Sequence, residues 1–560
     1  MCGIAGVVYY QSRPREAVLP VLEAMNRAQS YRGPDGDGVW TDGRVGLAHV
    51  RLALVGDAER GHEPLADETG AQLIFNGEIY RPAELMRSWG LEFAPGESDA
   101  RTLHALLRRQ GPDGLAEVEG PFAAARYDPA AGKVTLIRDL WGQKPLYLWR
   151  RPEGIYFAST VAALRAAVGP LTIRPEALLE YLIYRSVGGR RSAFQEIEQL
   201  PPGSWLEVAV DGSERSGQWY HTPAPDRFDA RPSDVRERVD FAVAERLDPQ
   251  LEQGIFLSGG LDSSIVATSA VLQANGSPLR FYSIGYDVSG VQDERHLARR
   301  LADNFDYEYQ EIQLSAGQIP ELFLDVARIL EDPIQDPVTL PTLLLSRAAA
   351  GRTRCVLTGD GSDEFWGGYE RFDDPPRDLA DYFPRTAIFQ PQDLGLSSAP
   401  ASYLDQVEMP PENWAPLDRI LAVEARNRLR NYHLARVDKL SMGCGLEIRC
   451  PFLDRQVTSL AMSIPAENKR LFGVPKGLLI EAYRRVLPEW LVERKKQPFS
   501  MPILQWLHGD LQSYARDRLG PNSRTASLVS AQPYLENLNE KSAAKIWSLL
   551  VLEAWMEVWA

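Results

Sequence analysis

The segment Ser258–Ser264 has the composition of a loop that holds phosphate groups. It follows the apolar run Gly254–Leu257 and precedes the helix-like run Ile265–Ala270. Its two adjacent glycines let backbone N–H groups approach a polyphosphate, and the following helix directs the positive end of its dipole there. Because no Gly-Lys-Ser/Thr follows, it is not a Walker A loop. An acid in such a loop, Asp262, needs a Mg²⁺ ion between the two anions. The pattern favours release of pyrophosphate from ATP, with adenylation of a carboxylate. The simpler interpretation is a capped strand-to-helix turn.

Cys2 is the second residue that could do chemistry. Removal of Met1 would make it N-terminal, and its own α-amine, with an ordinary pKa of about 7.7–8.0, could then take the thiol proton. Arg51, Asn76–Glu78 and Asp99 accompany it. A cation can pair with the α-carboxylate of an amino-acid substrate, and an anion can pair with its α-ammonium. An Asn amide beside a Gly N–H can donate hydrogen bonds to the oxyanion of an acyl-transfer step. Taken singly, each of these residues could instead be incidental, a surface charge or a turn residue.

The first part of the chain reads as short strands with interspersed helices. This succession of short strands and helices predicts an α+β domain with helices packed on antiparallel sheets. The predicted strands are Gly46–Val50, Gln72–Phe75, Phe122–Tyr127, Lys133–Ile137, Pro145–Trp149 and Ile155–Ala158, and the predicted helices are Val18–Ala28 and Ala100–Arg109.

After a proline-rich passage, strands alternate with helices, which predicts a parallel sheet. The strand candidates are Gly254–Leu257, Arg280–Tyr286, Tyr307–Ile312 and Thr353–Thr358, and from about Leu417 the chain reads as helices. Loops at the carboxyl ends of parallel strands build one site. We therefore expect Ser258–Ser264 and Gly359–Glu364 to meet. We place a first domain at residues 1–200, a linker at 201–230 and a second domain at 231–560.

Composition, net charge and cysteine count limit the classes of protein to which this chain could belong. Of the 560 residues, 44% are hydrophobic and 24% charged, as in globular domains. The net charge of −15 argues against nucleic acid or an anionic membrane as the main partner. The four cysteines form no zinc or disulfide pattern, and the start lacks a secretory signal, so we expect a cytoplasmic protein. The apolar stretch Ile546–Trp559 is too short to span a bilayer and predicts a buried or docking helix.

Five motifs stand in the order found in glutamine-hydrolysing asparagine synthetases. They are Met1–Gly6, Arg32–Gly36, Asn76–Tyr80, Ser258–Ser264 and Gly359–Glu364. The chain therefore resembles this family of class II glutamine amidotransferases nearly end to end. The resemblance implies an N-terminal-nucleophile glutaminase domain of αββα fold, then a Rossmann-like ATP-pyrophosphatase synthetase domain with a helical C-terminal part. It also implies an ammonia tunnel, and homodimers are common in the family.

For the first domain, the resemblance implies that Cys2 forms a thioester with glutamine and that Asn76 and Gly77 make the oxyanion hole. The residues implied to bind glutamine are Arg51, Asn76, Glu78 and Asp99.

For the second domain, Asp262 and Asp363 are the two carboxylates that we expect around Mg²⁺ and pyrophosphate. The resemblance implies that Lys476 neutralises the departing phosphates and that Asp360 handles substrate or a proton. The residues expected to bind ATP are Leu257, Ser258, Gly259, Gly260, Asp262, Ser263, Ser264, Ile284 and Gly359.

The acceptor carboxylate is less well determined. Aspartate is the family default, but related enzymes amidate other carboxylates, including those on cell-envelope and secondary-metabolite precursors. Pro498 stands where many members have Gly, and proline fixes φ near −65°, which predicts a reshaped loop. The segment Glu370–Arg430 carries no readable motif. Candidate cations for the acceptor are Arg371, Arg449, Lys495 and Lys496.

Two other classes of protein share the same fold. A cyclase that closes a peptide or lactam would not need Cys2 together with Arg51, Asn76 and Asp99. A non-catalytic scaffold would be expected to have lost Cys2, Asp262 or Asp363. All these residues are present, which favours the two-site enzyme.

Overall fold

The computed structural model describes residues 2–54, 61–94, 96–274, 276–288, 294–305, 307–374, 376–494 and 501–560. The chain divides into two compact units. Unit 1 comprises Met1–Ile173, Arg190–Thr222 and Met442–Gly445, and unit 2 comprises Arg174–Gly189, Pro223–Ser441 and Leu446–Ala560. The division into functional domains at residues 201–230 stays a prediction.

Unit 1 is built on two six-stranded antiparallel sheets. Its strands are β1 (Cys2–Tyr9), β2 (Gly36–Thr41), β3 (Val45–Arg51), β4 (Leu65–Ala66), β5 (Gln72–Gly77), β6 (Phe122–Asp128), β7 (Lys133–Arg138), β8 (Tyr147–Arg151), β9 (Gly154–Ala158), β10 (Ile197–Gln199), β11 (Ser204–Ala209) and β12 (Glu214–Gln218). The first sheet has the order β10-β8-β9-β1-β3-β2 and the second β12-β11-β7-β6-β5-β4. Six of these strands and their order along the chain follow the sequence prediction closely.

The core of unit 1 explains the pairing of its sheets. Alternating apolar residues such as Ile4, Leu47, Ile74 and Leu136 come from both sheets and form one buried cluster. The helices of this unit are α1 (Arg15–Gln29), α2 (Pro82–Ser88), α3 (Ala100–Gln110) and α4 (Val161–Val168). Helices α1 and α4 pack on the first sheet and α3 on the second. The predicted αββα fold is confirmed.

Unit 2 contains a five-stranded sheet in which all strands run parallel. Its strands are β13 (Gln253–Phe256), β14 (Leu279–Tyr286), β15 (Glu308–Leu314), β16 (Cys355–Leu357) and β17 (Glu447–Arg449). The strand order is β15-β14-β13-β16-β17. From β13 the chain adds β14 and β15 on one side of the sheet and then β16 and β17 on the other, so a switch point lies between β13 and β16. The four predicted strands are confirmed. The fifth, β17, was not predicted because three residues show no periodicity.

Helices surround this sheet. They are α5 (Pro175–Tyr184), α6 (Pro232–Ala244), α7 (Leu261–Gln273), α8 (Arg295–Asp303), α9 (Ile319–Leu330), α10 (Thr339–Ala350), α11 (Ser362–Trp366), α12 (Leu379–Thr386), α13 (Ala401–Leu404), α14 (Pro416–Val423), α15 (Ala435–Met442), α16 (Arg455–Ser463), α17 (Ala466–Lys469), α18 (Gly477–Tyr483), α19 (Glu489–Val492), α20 (Ile503–His508), α21 (Gln512–Arg518), α22 (Gln532–Glu536) and α23 (Glu540–Trp559). In the described part of the chain, no helix has the length and apolarity to cross a bilayer. The predicted apolar helix is α23, whose Trp547 and Trp555 are buried.

The segment that carried no readable motif, Glu370–Arg430, folds around an aromatic cluster. Tyr403 of α13 stacks on Tyr184 of α5 with ring centroids 4.0 Å apart. Between α14 and α15 the helix continues through an 11-residue π-helical stretch, Glu424–Leu434. Such stretches are rare and frequently occur at functional sites.

Candidate active sites

Cys2 lies at the start of an interior strand of unit 1. β1 pairs with β3 on one side and β9 on the other, and all its residues are buried. The register sets Cys2 opposite Arg51, the last residue of β3. Gly6 is required in this strand because a Cβ there would come within 2.6 Å of the carbonyl oxygen of Gly46. Pairing with β3 from Cys2 onward, and with β9 from Ala5 onward, fixes the position of Cys2.

Hydrogen bonds from three other elements hold the start of β1. The backbone N of Cys2 donates to Asn76 Oδ1 at 3.1 Å, and Arg32 Nε donates to the Cys2 carbonyl at 3.2 Å. Asn76 Nδ2 lies 3.5 Å from Ser159 Oγ, which accepts from Ile4 N at 3.0 Å. The structure therefore places the predicted oxyanion-hole amide beside the predicted nucleophile. Ser159 was not predicted, because no motif connects it to Cys2.

A cavity of about 30 Å³ brings together three of the four residues predicted to bind glutamine, and the fourth, Asn76, is fully buried and is not among the residues that line it. Arg51, Gly77, Glu78 and Asp99 line it with Cys2. The remaining lining residues are Leu52, Leu54, Gly61, Glu63, Phe75 and Ser98. One guanidinium and several carboxyl groups around one cavity match the charges at the two ends of an amino acid.

Asp99 is a buried carboxyl group, 4% exposed. Burial raises its pKa to about 6; the N–H of Ile79, which donates to Oδ2 at 2.7 Å, opposes the rise, and the charge of Glu78 adds to it. Asp99 is therefore an anion at neutral pH and able to pair with an ammonium group.

In unit 2, the loop after β13 folds back before α7 begins. Ser258 Oγ lies 2.9 Å from Ser263 Oγ and accepts from Gly260 N at 3.2 Å. Gly259 has a φ of 82°, and a Cβ there would come within 2.7 Å of the Glu294 carbonyl oxygen. The loop thus requires glycine at this position.

A cavity of about 290 Å³ lies where β13, β14 and β16 end. The predicted residues that line it are Leu257, Ser258, Asp262, Ser263, Ile284, Gly359, Asp360 and Asp363. Gly260 lines a neighbouring cavity of about 930 Å³. Of the described residues that were predicted to bind ATP, Gly259 and Ser264 line neither cavity, and Ser264 is fully buried in α7.

Asp262, Asp363 and Lys476 form one charged cluster at these cavities. Lys476 Nζ lies 2.6 Å from Asp262 Oδ1, 2.5 Å from Asp363 Oδ1 and 3.1 Å from Ser362 Oγ. Ser362 Oγ donates to Asp262 Oδ1 at 2.8 Å. Burial by itself lowers the pKa of Lys476, but the charges of Asp262 and Asp363 raise it further than burial lowers it. The lysine is therefore a fixed cation between two acids.

The backbone around Lys476 is adapted to this cluster. Lys476 has a φ of 57°, a conformation that costs a non-glycine residue about 1–3 kcal/mol. Gly368 faces the lysine, because a Cβ there would lie 2.0 Å from Lys476 Cε and 2.0 Å from Asp363 Oδ1. The close approach of these three residues requires glycine at position 368.

The donor set fits a magnesium ion that arrives with a nucleotide. The side chains of Asp262 and Asp363 remain 22% and 21% exposed. Magnesium in nucleotide sites is commonly held by one or two carboxylates together with phosphate oxygens. Across the residues that the structure describes, no group of three His, Cys, Asp or Glu side chains could hold a metal by itself. The two acids therefore need phosphate oxygens to complete such a site.

Asp360 belongs to a second charged group in the 290 Å³ cavity. Arg436, which follows the π-helical stretch, donates to Asp360 Oδ1 at 2.8 Å and to Asp336 Oδ2 at 2.8 Å. The guanidinium is buried and holds Asp360 at the cavity wall. Arg436 was not among the predicted site residues.

Glu364, Tyr369 and His433 line the same cavity. Tyr369 OH donates to Glu364 Oε1, and His433 Nε2 lies 3.3 Å from that oxygen and 3.3 Å from the tyrosine hydroxyl. Burial raises the pKa of Glu364 to about 7, and the charge of Asp363 adds to the rise. Burial also holds the pKa of His433 well below its usual value. His433 is therefore uncharged near neutral pH, whereas Glu364 titrates close to it.

Of the predicted acceptor cations, the two that the structure describes do not line this cavity. Arg371 pairs with Glu424 at 2.5 Å and lies over the ring of Tyr369, and Arg449 donates to the Arg246 carbonyl at 2.7 Å. Neither is among the cavity-lining residues. Lys495, Lys496 and Pro498 lie outside the described residues.

Comparisons with known proteins agree with this arrangement. The family model described as asparagine synthase matches residues 234–557, and the glutamine amidotransferase domain model matches residues 1–220. Asparagine synthetase [glutamine-hydrolyzing] 1 of Bacillus subtilis is 26% identical, over 100% of this chain and 97% of that protein. Asparagine synthetase [glutamine-hydrolyzing] 2 of the same organism is 26% identical, over 89% of this chain and 72% of that protein. The amidase chry2 of Gibberella zeae is 25% identical, over 91% and 90%.

Proposed function

Because the chain belongs to the asparagine synthase family, we propose that it forms asparagine from aspartate, glutamine and ATP. Family membership makes it an ATP-dependent carbon–nitrogen ligase with glutamine as the amido donor. The observation that carries the proposal is the cluster in which Lys476 bridges Asp262 and Asp363 beside the glycine loop. This cluster combines the charges needed to bind and release pyrophosphate.

The first step takes place at Cys2. Once Met1 is removed, the α-amine of Cys2 accepts the proton of the Cys2 thiol. The sulfur then attacks the side-chain amide carbon of glutamine, and ammonia leaves with that proton. Water then hydrolyses the glutamyl thioester to glutamate and regenerates the thiol. Asn76 and Gly77 donate hydrogen bonds to the oxyanion, while Arg51 and Asp99 hold the α-carboxylate and α-ammonium.

The second step takes place in unit 2. An oxygen of the aspartate side-chain carboxylate attacks the α-phosphorus of ATP, and the bond to pyrophosphate breaks. Lys476 neutralises the departing phosphates. A Mg²⁺ ion held by Asp262 and Asp363 would neutralise further phosphate charge.

Ammonia then attacks the acyl carbon, AMP leaves, and the nitrogen loses a proton as the amide forms. Asp360 is held by Arg436 at the wall of the same cavity. We assign Asp360 to the substrate ammonium or to this proton.

Amidation of a different carboxylate is the second candidate function. One relative of 25% identity is named an amidase. In addition, the Arg436 guanidinium already forms ion pairs with Asp336 and Asp360. The α-carboxylate of aspartate would have to compete for that guanidinium. An acceptor on a cell-envelope or secondary-metabolite precursor, without a free second carboxylate, would not. A non-catalytic scaffold is disfavoured because Cys2, Asp262 and Asp363 are all retained.

The acceptor is tested by supplying ATP, Mg²⁺ and glutamine with aspartate or with a panel of other carboxylic acids. AMP and the amide product are measured by mass spectrometry. We expect AMP and asparagine in equal amounts with aspartate. AMP release with another acid, and none with aspartate, would replace asparagine synthesis by amidation of that acid.

The two-site mechanism is tested by Cys2→Ala. The thiol serves the first site, whereas ammonia from solution can reach the second, so glutamine hydrolysis is lost and amide synthesis from ammonium salts is retained. Glutamate release and AMP release are measured on the same folded sample. Parallel loss of both would contradict the assignment of Cys2.

A further inference from the structure

Unit 1 contains a buried acid–imidazole pair that the proposed reaction does not use. Glu63 and His49 are 5% and 1% exposed, and His49 Nε2 lies 3.5 Å from Glu63 Oε2. Glu63 lines the cavity onto which Cys2 opens. The pair therefore lies directly behind the glutamine-binding residues.

Both side chains bind the main chain of Phe75, the residue before Asn76. Phe75 N donates to Glu63 Oε2 at 2.5 Å, and His49 Nε2 lies 3.3 Å from the Phe75 carbonyl oxygen. The neighbouring strand β4 has two residues and pairs with β5 only as far as Leu73. The two side chains thus take the hydrogen bonds that a longer β4 would have supplied to a buried backbone.

Burial also determines the charge of the pair. It raises the pKa of Glu63 to about 8, opposed by His49 and assisted by Cys2, and it lowers the pKa of His49, opposed by Glu63. Near neutral pH the carboxyl group and the ring are therefore both uncharged, and the ring can donate from Nε2. The other titratable or charged groups that face the pair are Cys2, Arg51, Glu78 and Asp99.

We propose that Glu63 and His49 are positioning residues of the glutaminase site, which hold Asn76 beside Cys2 without placing a net charge there. This inference rests on the proposed role of Cys2. When Glu63 ionises at higher pH, a carboxylate appears in the cavity of the nucleophile. It opposes the thiolate and the oxyanion that develop during the reaction, so glutamine hydrolysis slows.

The first test compares the pH profile of kcat for glutamine hydrolysis in Glu63→Gln and in the unsubstituted enzyme. Glutamine keeps an acceptor for the Phe75 N–H but cannot ionise. A carboxyl group with a pKa of about 8 falls from about nine-tenths protonated at pH 7 to about one-tenth at pH 9. With the ionised form inactive, the ratio of variant to parent kcat should therefore rise about tenfold over this interval.

Glu68→Gln is the matched control, because Glu68 is an exposed acid of the same unit, and its ratio should stay flat. Urea unfolding of each variant reports that it is folded. A ratio for Glu63→Gln that changes less than about twofold from pH 7 to pH 9 would overturn the proposal.

The second test does not depend on catalysis or on a variant. Carbon NMR of the unsubstituted full chain, labelled at its glutamate carboxyl groups, should show one carboxyl that titrates near pH 8. Alkylation of Cys2 should lower that pKa, because the thiolate charge contributes to it. If no glutamate titrates above about pH 7.5, the pair is charged at neutral pH and the proposal fails. Retained hydrolysis in Cys2→Ala would instead refute the proposed function and leave this titration unaffected.

Discussion

Substitution Gly368→Ala should abolish most of the adenylation activity with little loss of stability. The added methyl carbon would lie 2.0 Å from Lys476 Cε and 2.0 Å from Asp363 Oδ1, so the lysine and the acid cannot keep their places. Both atoms are near the ends of flexible side chains, and the adjoining cavity of about 930 Å³ gives Lys476 room to move. The main chain therefore need not shift, but the bridge from Lys476 to Asp262 and Asp363 breaks.

The magnitude follows from what the bridge contributes. Loss of one preorganised electrostatic contact to a transition state costs about 2.7–4 kcal/mol, which is about 10²–10³ in rate. Overpacking of a well-packed core costs about 1–3 kcal/mol of unfolding free energy. We expect the lower end for Gly368→Ala because the clashing groups can swing into the cavity.

The assay is pyrophosphate release with ATP, Mg²⁺, ammonium and the acceptor, together with urea unfolding of the same preparation. Gly317→Ala is the matched control in unit 2, since a Cβ there meets no atom within 4 Å. It should release pyrophosphate at the parent rate. If folded Gly368→Ala also stays within about threefold of the parent, the cluster is not what activates the phosphates, and this reasoning is refuted.

Two further predictions concern the carboxyl groups of the two sites. Asp262→Asn and Asp363→Asn should each reduce AMP release by about 10²-fold or more while glutamine hydrolysis continues. The reason is that each substitution removes a negative charge from the proposed Mg²⁺ site at nearly constant side-chain volume. Normal pyrophosphate release from either variant would place the metal elsewhere. Asp99 has a pKa of about 6, so the KM for glutamine should rise as the pH falls through about 6, since the protonated acid cannot pair with the α-ammonium of glutamine. In Asp99→Asn the KM should be high and independent of pH over the same range. A KM that keeps the pH dependence of the parent would contradict the role of Asp99.

Local patterns were sufficient to predict most of the elements that carry these sites. The strand before Ser258 and the helix after it were predicted because an apolar run, two glycines and a helix-forming run follow one another. Gly259 adopts the positive φ that such a turn requires. Strands of unit 1 were predicted from alternation and turn residues, since both signals act over a few neighbouring positions.

Other features depend on contacts between distant parts of the chain. β17 is three residues long and exists because it pairs with β16, not because of its own pattern. Glu63 acquires a role because β4 begins only at Leu65 and leaves the Phe75 backbone without a partner on the β4 side. Arg436 reaches Asp360 from a helix that contains a π-helical stretch, which no local preference predicted.

The sequence by itself determined the types of chemistry in this protein. Local order predicted that Cys2, once Met1 is removed, could use its own α-amine as a base, and that Asp262 lies inside a glycine loop that suits phosphate groups; the family resemblance then added their roles. Only the tertiary structure decided which charges meet. Lys476 lies 214 positions from Asp262 and still contacts it at 2.6 Å, while Arg371 and Arg449, equally plausible as cations in the sequence, are engaged elsewhere. The physical reason is that charge pairing depends on distance in space, and folding sets that distance independently of separation along the chain.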